Sequence, residues 1–286
     1  MKKNLMKISV VIPVYNEAAG LSACLDAIER QTVEPYEVIV VNNNSSDNTA
    51  EVAGSYDFVK LLNEPKQGVV YARDRGFDAA RGDIIARIDA DSHVAPDWIA
   101  QIQHIFSTDR TVDALTGRIE YYGLLVPQLL SKIDLICRRH LAKTLGKDVA
   151  IQGANMAMRR LAWQNVRKVV CKTGGLHEDH DLAVHLTDQG RKVIFHEAPR
   201  AAIDSRRLET TWRDFCYYAW LSPLTYKKHA LDSRRHMYPF VLLAILAFPI
   251  LKVMRRAYDA DTQKFSLQRL FSANTVARAN PATFVD

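Results

Sequence analysis

Along the first two hundred residues, short and densely apolar segments alternate with stretches in which apolar positions recur every three or four residues. The run Ile8-Ser9-Val10-Val11-Ile12-Pro13-Val14 is β-branched and closes at Tyr15-Asn16-Glu17, the pattern of a central parallel strand ending in a turn. Leu21, Cys24, Leu25 and Ile28 then fall at i, i+3, i+4 and i+7, which predicts a helix. Residues 37–41 repeat the strand signal and stop at 42–49, a dense set of turn and cap residues opening a helix at Thr49 or Ala50. A short strand over 58–62, a helix after Gly68 carrying Tyr71, Ala72, Arg73 and Gly76, and a strand over 83–88 continue the alternation. Further on, 182–186 reads as a helix and 193–195 as another strand. Strands and helices in this order predict an α/β, mostly parallel, doubly wound sheet flanked by helices. No G-x-G-x-x-G follows the first strand, which weighs against a dinucleotide-binding domain.

The strand over 83–88 delivers Asp89-Ala90-Asp91 to its carboxyl end, just before a loop that enters a helix near Trp98. In open α/β sheets ligands collect outside the carboxyl ends of the strands. Two carboxylates one residue apart repel each other unless a cation sits beside them. A hard divalent ion carrying a diphosphate relieves that repulsion, since Mg²⁺ takes few protein carboxylates and completes its shell with phosphate and water. Taken alone, a D-x-D reads equally well as two solvated acids.

Composition alters this picture at two points. Four cysteines, Cys24, Cys137, Cys171 and Cys216, show no C-x-x-C spacing, so a disulfide framework or zinc knuckle is not indicated and a reducing compartment fits. The net charge of +6 is uneven: from Arg200 onward 14 Lys+Arg face 7 Asp+Glu, which leaves the first 199 residues near neutral. A basic C-terminal region points to an acidic partner such as a phospholipid surface. The positive N-terminus is followed by no apolar run long enough for a signal peptide.

Several segments together resemble the family 2 glycosyltransferases. They are Val10-Val11-Ile12-Pro13-Val14-Tyr15-Asn16-Glu17, Val41-Asn42-Asn43-Asn44-Ser45-Ser46-Asp47-Asn48-Thr49, Gly68-x-x-x-Ala72-Arg73-x-x-Gly76, and Asp89-Ala90-Asp91 with Pro96-Asp97-Trp98. Gly153-Ala154-Asn155-Met156-Ala157-Met158-Arg159-Arg160 resembles the family's acceptor-side segment, and His177-Glu178-Asp179-His180-Asp181-Leu182 its E-D-x-D-L segment. The resemblance implies a GT-A, Rossmann-like fold, a nucleoside-diphosphate sugar donor, a divalent metal (Mg or Mn) and inversion at the anomeric carbon. It divides the chain into a glycosyltransferase domain over 1–205, with a nucleotide-sugar half (1–100) and an acceptor half (101–205), and a C-terminal helical region over 206–286.

By the same resemblance, Pro13, Tyr15, Glu17, Asn43, Asn44, Arg73, Asp89 and Ala90 contact the donor nucleotide and Asp91 ligates the metal. The family often has an aspartate where this chain has Asn42-Asn43-Asn44. An amide both donates and accepts, so the base is not fixed, with uridine favoured over guanosine. Arg73 offers a planar cation that can bind an anion bidentately. Gly153 and Asn155 belong to the acceptor side. An inverting transfer needs a base opposite the leaving group; Asp179 is assigned that role and Glu178 orients acceptor or base, against the plainer use of both acids to complement a helix N-terminus. Where many members carry a histidine this chain has Asp204, so Arg206 or Arg207 is expected to meet the diphosphate. His177, His180 and His185 with Asp181 offer a rival transition-metal reading, in a spacing that matches neither H-E-x-x-H nor a zinc finger.

The C-terminal segment interleaves Trp212, Phe215, Tyr217, Tyr218, Trp220 and Tyr226 with cations before a 15-residue apolar run over 237–251 that holds two prolines. A spanning helix needs about 20 residues. The run therefore reads as an interfacial or re-entrant helix, with a core or oligomer-forming helix as the alternative. The whole describes an inverting enzyme at the inner, cytoplasmic face of the cell membrane, with residues 206–256 meeting the membrane surface. It acts on a lipid-linked or cell-envelope glycan, with no nucleic-acid partner. A nucleotidyltransferase and a non-catalytic nucleotide-sugar binder are the competing readings. No phosphate-binding loop follows the first strand to support the former, and the complete acid set argues against the latter.

Overall fold

The computed structural model describes residues 6–172, 174–259 and 264–265. The C-terminal region expected over 206–286 lies outside the described residues at 260–263 and from 266 onward. In chain order the elements are β1 (Ile8–Val14), α1 (Ala18–Glu29), β2 (Glu37–Asn42), α2 (Thr49–Gly54), β3 (Val59–Asn63), α3 (Val69–Ala79), β4 (Ile84–Arg87), β5 (His93–Val94) and α4 (Trp98–Thr108). They continue through β6 (Val112–Tyr122), α5 (Pro127–Leu145), β7 (Met156–Arg159), α6 (Arg160–Val166), α7 (Glu178–Asp188), β8 (Lys192–Asp204), α8 (Trp212–Lys228) and α9 (Tyr238–Ala257).

One eight-stranded sheet, in the order β3-β2-β1-β4-β7-β6-β8-β5, runs through the molecule. The first four strands are parallel, as their unbroken apolar runs require, because both faces are covered. Val10, Ile12 and Val14 point into a cluster with Leu21, Leu25, Trp98 and Phe106, whereas Val11 points the other way, toward Phe77, Met156, Trp163 and Leu182. The second half is mixed: β7 runs antiparallel to both β4 and β6, β8 runs parallel to β6, and β5 runs antiparallel to β8. The sheet is thus less uniformly parallel than the alternation predicts. Strands β5 and β7 have only two and four residues, and β6 mixes polar with apolar positions, so none of the three carries a clear period.

Strand β1 has β2 on one side and β4 on the other, so the chain reverses its direction of travel across the sheet there. The turns after β1, β2 and β4 consequently open at one edge of the sheet, the place where such folds bind ligands. The far ends of β6 and β8 reach the same edge. Tyr122 pairs with Asp204 in the β6–β8 register, and its hydroxyl donates to the Asp91 carbonyl at 2.8 Å.

The C-terminal helix corrects the expected length. Pro239 sits in the first turn of α9, where its missing N–H breaks no bond, and the helix continues through Pro249 to 20 residues. The stretch from Asp232 to Ala257, 26 residues, is long and apolar enough to cross a membrane by length and composition. Length therefore does not separate crossing from lying flat.

Candidate active site

The turns after β1 and β2 are stitched together by short polar side chains. Asn16, at φ 48°, accepts from the Ser46 amide at 2.8 Å, and the Asn16 amide donates to the Ser45 hydroxyl at 3.0 Å. The Glu17 amide donates to Thr49 Oγ1 at 2.9 Å. Pro13, Tyr15 and Glu17 are half-buried along this edge, and Asn44 is exposed at φ 60°, a conformation asparagine tolerates. Asn43 stands differently from its expected role. Its amide donates to the carbonyls of Glu64 and Lys66 and accepts from the Gly68 amide at 2.7 Å, so the side chain is spent on holding the loop before α3.

Beyond β4, Asp91 is 1% exposed. Arg206 reaches it from the segment after β8: its Nη2 lies 3.0 Å from Asp91 Oδ2 and 2.8 Å from Glu17 Oε1, and its Nε 3.2 Å from Asp204 Oδ2. One guanidinium is thus embraced by three carboxylates, with Asp89 nearby and Ala90 buried between the two aspartates. Burial raises the Asp204 pKa, Arg255 and Arg206 offset it, and Asp91 adds to it. The expectation that Arg206 meets a diphosphate is therefore modified: here it answers the acids, since their charge would otherwise be uncompensated in a partly dry site. Its neighbour Arg207 stacks 3.6 Å over the Tyr218 ring.

Next to this cluster lies a second one, built on a residue that the sequence reading passed over. Arg87, 3% exposed at the end of β4, donates from Nη1 to Glu178 Oε1 at 2.6 Å and to Asp179 Oδ1 at 2.7 Å, and its Nη2 lies 3.5 Å from Asp89. Its signal was visible as a lone arginine in an otherwise apolar strand, since a buried cation demands partners. The Asp179 Oδ2 accepts from the Gly153 amide at 2.7 Å. A Cβ on Gly153 would lie 2.4 Å from Arg87 Cζ, so glycine is what lets the loop close over the guanidinium.

Arg73 is corrected by the same network. It is wholly enclosed, bonded to Glu178 and, at 2.9 Å, to Asp74, with Trp163 across its plane. It supports Glu178 from beneath instead of facing a ligand. Burial works to raise the Glu178 pKa, and the guanidiniums of Arg87 and Arg73 overcome it and hold this carboxyl below the usual range. For Asp179, burial and then the Glu178 charge act together, and its pKa stands well above the usual range despite Arg87. Two adjacent acids are thereby driven apart, one fixed as an anion and one with raised proton affinity.

Asn155 also departs from expectation. It is fully buried, donates to the carbonyls of Arg118 and Pro199 at 2.9 and 3.0 Å, and accepts from Trp98 Nε1 at 2.8 Å. It fastens α4, β6 and β8 beside the acceptor-side loop, and, enclosed with both N–H donors used, it has no donor left for a ligand. The imidazoles of His177 and His180 stack on each other at 4.2 Å, and burial lowers the His177 pKa to about 4. They do not join His185 in one cluster.

Residues 9–166, more than half of the chain, match the model of glycosyl transferase family 2. The chain belongs to this family. The family 2 enzyme is 37% identical over 168 residues to the glycosyltransferase AglE of Haloferax volcanii, covering 56% of this chain and 55% of that one. It is 30% identical over 208 residues to the glucosyl-dolichyl phosphate glucuronosyltransferase of the same organism, covering 68% and 62%. The chain spans about half, or less, of the length of the first of the curated relatives it matches. Among solved structures, the mannosyltransferase PcManGT of Pyrobaculum calidifontis, in complex with GDP-Man and Mn²⁺, superposes with a TM-score of 0.65 at 20% identity, over 94% of this chain and 78% of that one. The glucosyl-3-phosphoglycerate synthase of Mycobacterium tuberculosis, in complex with UDP, gives a TM-score of 0.57 at 17% identity, over 79% and 81%. The solved structures share an α/β fold of GT-A type with this chain, and the family match places it among the family 2 glycosyltransferases.

Proposed function

We propose that this glycosyltransferase moves a sugar from a nucleoside-diphosphate sugar, a UDP-sugar being favoured, to a hydroxyl of a lipid-linked or cell-envelope glycan, with inversion and with the help of Mg²⁺ or Mn²⁺. The observation that carries the reading is the pair of carboxylate clusters at one sheet edge. Asp89 ties them together through Arg87, with cation-gathering acids on one side and Asp179, of raised proton affinity, on the other. The acids fit a divalent ion: Asp91, Glu17 and Asp204 already converge on the Arg206 guanidinium, and Arg255, the other cation on Asp204, is shared with Glu209. Asp91, with Asp89 beside it, would hold that ion. When bound, the ion neutralises the departing diphosphate as a Lewis acid.

The chain's own residues supply the rest. Pro13, Tyr15, Glu17 and Asn44 lie along the nucleoside, and Arg206, drawn from the acids by a competing anion, meets the diphosphate with Arg207. Asp179 takes the proton from the attacking acceptor hydroxyl, while Glu178, kept ionised, fixes Arg87 and through it the orientation of Asp179. Residues 1–205 form the catalytic unit in this reading and 206–286 its C-terminal helical region. Guanosine is the competing base, since the mannosyltransferase neighbour holds GDP-Man. Calorimetric titration of UDP and GDP into wild type and Asp91→Ala, each with Mn²⁺ and with chelator, tests the donor half. Binding of one nucleotide, UDP the tighter, that needs metal and is lost in Asp91→Ala is expected. No binding of either nucleotide in any condition would overturn it.

We also place α9 at the inner membrane surface. Leu242, Leu243, Leu246, Ile250 and Val253 form an exposed stripe, with Leu246 71% exposed. On the opposite side Phe248 is buried against Phe215 and Leu208, Lys252 donates to the Thr210 carbonyl at 2.6 Å, and Arg255 pairs with Glu209 at 3.1 Å. A helix bonded along one side to the globular unit, through two cations, favours lying flat over crossing. Wild type should therefore co-sediment with vesicles containing anionic phospholipid, and the double variant Leu246→Glu, Ile250→Glu should stay in the supernatant. Equal sedimentation of both contradicts this placement.

A further inference from the structure

Around α7, from its first turn onward, four side chains of different kinds turn toward one point. Cys171 comes from the loop after α6, Asp181 and His185 lie one turn apart on α7, and His229 caps the C-terminus of α8. Cys171 Sγ is 3.9 Å from His185 Nε2, which is 3.6 Å from Asp181 Oδ1. His229 Nε2 is 2.8 Å from that same oxygen, and all four donor atoms lie within 4.8 Å of one another. Bond lengths of 2.0–2.3 Å around a tetrahedral zinc put neighbouring donors about 3.3–3.8 Å apart. The quartet needs only shifts of the order of an ångström to reach that shape.

We propose that Cys171, Asp181, His185 and His229 form a structural zinc site, separate from the Mg²⁺ or Mn²⁺ of the donor pocket. Its donors are one sulfur, two imidazole nitrogens and one carboxylate, the set that selects a borderline ion over hard Mg²⁺. The charges also match, since a thiolate and a carboxylate neutralise Zn²⁺ while two neutral imidazoles complete the shell. Asp181 is 1% exposed and its ion pairs are both with histidines. A carboxylate buried this deeply needs charge-bearing partners, and a divalent ion held among these four side chains supplies one. Binding breaks the S–H bond of Cys171, forms a Zn–S bond and releases the proton to solvent. The spacing His177, His180, His185 concealed this site, because its other two ligands lie 10 residues before and 48 residues after Asp181.

Such a site has a clear structural use. It clamps the loop after α6 and the end of α8 onto α7, whose first turn holds Glu178 and Asp179. All four positions are protein ligands, so it is a closed site that contributes to folding.

The test is metal analysis and Co²⁺ substitution on the full chain. Purified protein dialysed against metal-free buffer should retain one zinc per chain. The Co²⁺ form should show a thiolate-to-cobalt charge-transfer band in the near ultraviolet with the intense visible bands of tetrahedral cobalt. Cys171→Ser should lose the charge-transfer band, and His229→Ala should weaken metal binding at least about tenfold. Cys137→Ser, Cys216→Ser and Asp91→Ala should leave the spectrum unchanged, so loss of the donor metal and loss of this site are distinguishable. Folded wild type that takes up no stoichiometric metal, or a charge-transfer band that survives in Cys171→Ser, overturns the proposal. Should Cys171→Ser fail to fold, the wild-type cobalt spectrum decides alone: no charge-transfer band means no cysteine ligand.

Discussion

Arg87→Met is expected to destabilise the enzyme by about 3–5 kcal/mol, the cost of removing one partner from a buried ion network. The methionine fills the space but leaves Glu178 and Asp179 facing each other without the guanidinium between them, with Arg73 still paired to Glu178. Lysine would not restore the site, because a point charge cannot serve Glu178 and Asp179 with the planar fork that meets both. Denaturant unfolding should show a lower midpoint at unchanged slope. Gly153→Ala should move in the same direction by a smaller amount, since its Cβ would press on the Arg87 guanidinium. A stability for Arg87→Met within about 1 kcal/mol of wild type would show that the network is dispensable.

The parts of this molecule legible in its sequence are those where local pattern and tertiary setting agree. Strands β1, β2 and β4 are buried on both faces, so their apolar runs stand out between polar turns; Asp89 and Asp91 follow β4, and Glu178 and Asp179 open α7, as expected. Polar side chains whose partners are remote in sequence were not legible. Asn43 and Asn155 look like ligand contacts by position, yet both donate their amide hydrogens to backbone carbonyls 21 to 44 residues away. Arg206 finds Glu17 across 189 residues, and no local pattern announces that pairing. Arg87 was legible in principle as a cation inside an apolar strand. The length of α9 was misjudged because prolines read as breaks, whereas one occupies the first turn and the other leaves the helix unbroken.

The central claim is that Asp179 accepts the acceptor's proton, and Asp179→Asn is expected to cut transfer about 10³-fold. The substitution keeps the shape and retains an oxygen for the Gly153 amide. Because Glu178 stays paired with both arginines, the site should persist. Asp91, Glu17 and Asp204 are untouched, so nucleotide affinity should be unchanged and the loss should fall on kcat, not KM. The pH dependence follows from the same group. With its pKa raised by burial and by Glu178, Asp179 is protonated and idle at low pH, and the wild-type rate should climb as pH passes through a value above the ordinary carboxylate range. The decisive measurement is single-turnover transfer across pH for wild type and Asp179→Asn, with nucleotide binding followed in parallel. The variant should bind nucleotide normally, transfer about 10³-fold more slowly and lose the rising limb. A variant that transfers at the wild-type rate, or that keeps the rising limb, would show that the base lies elsewhere.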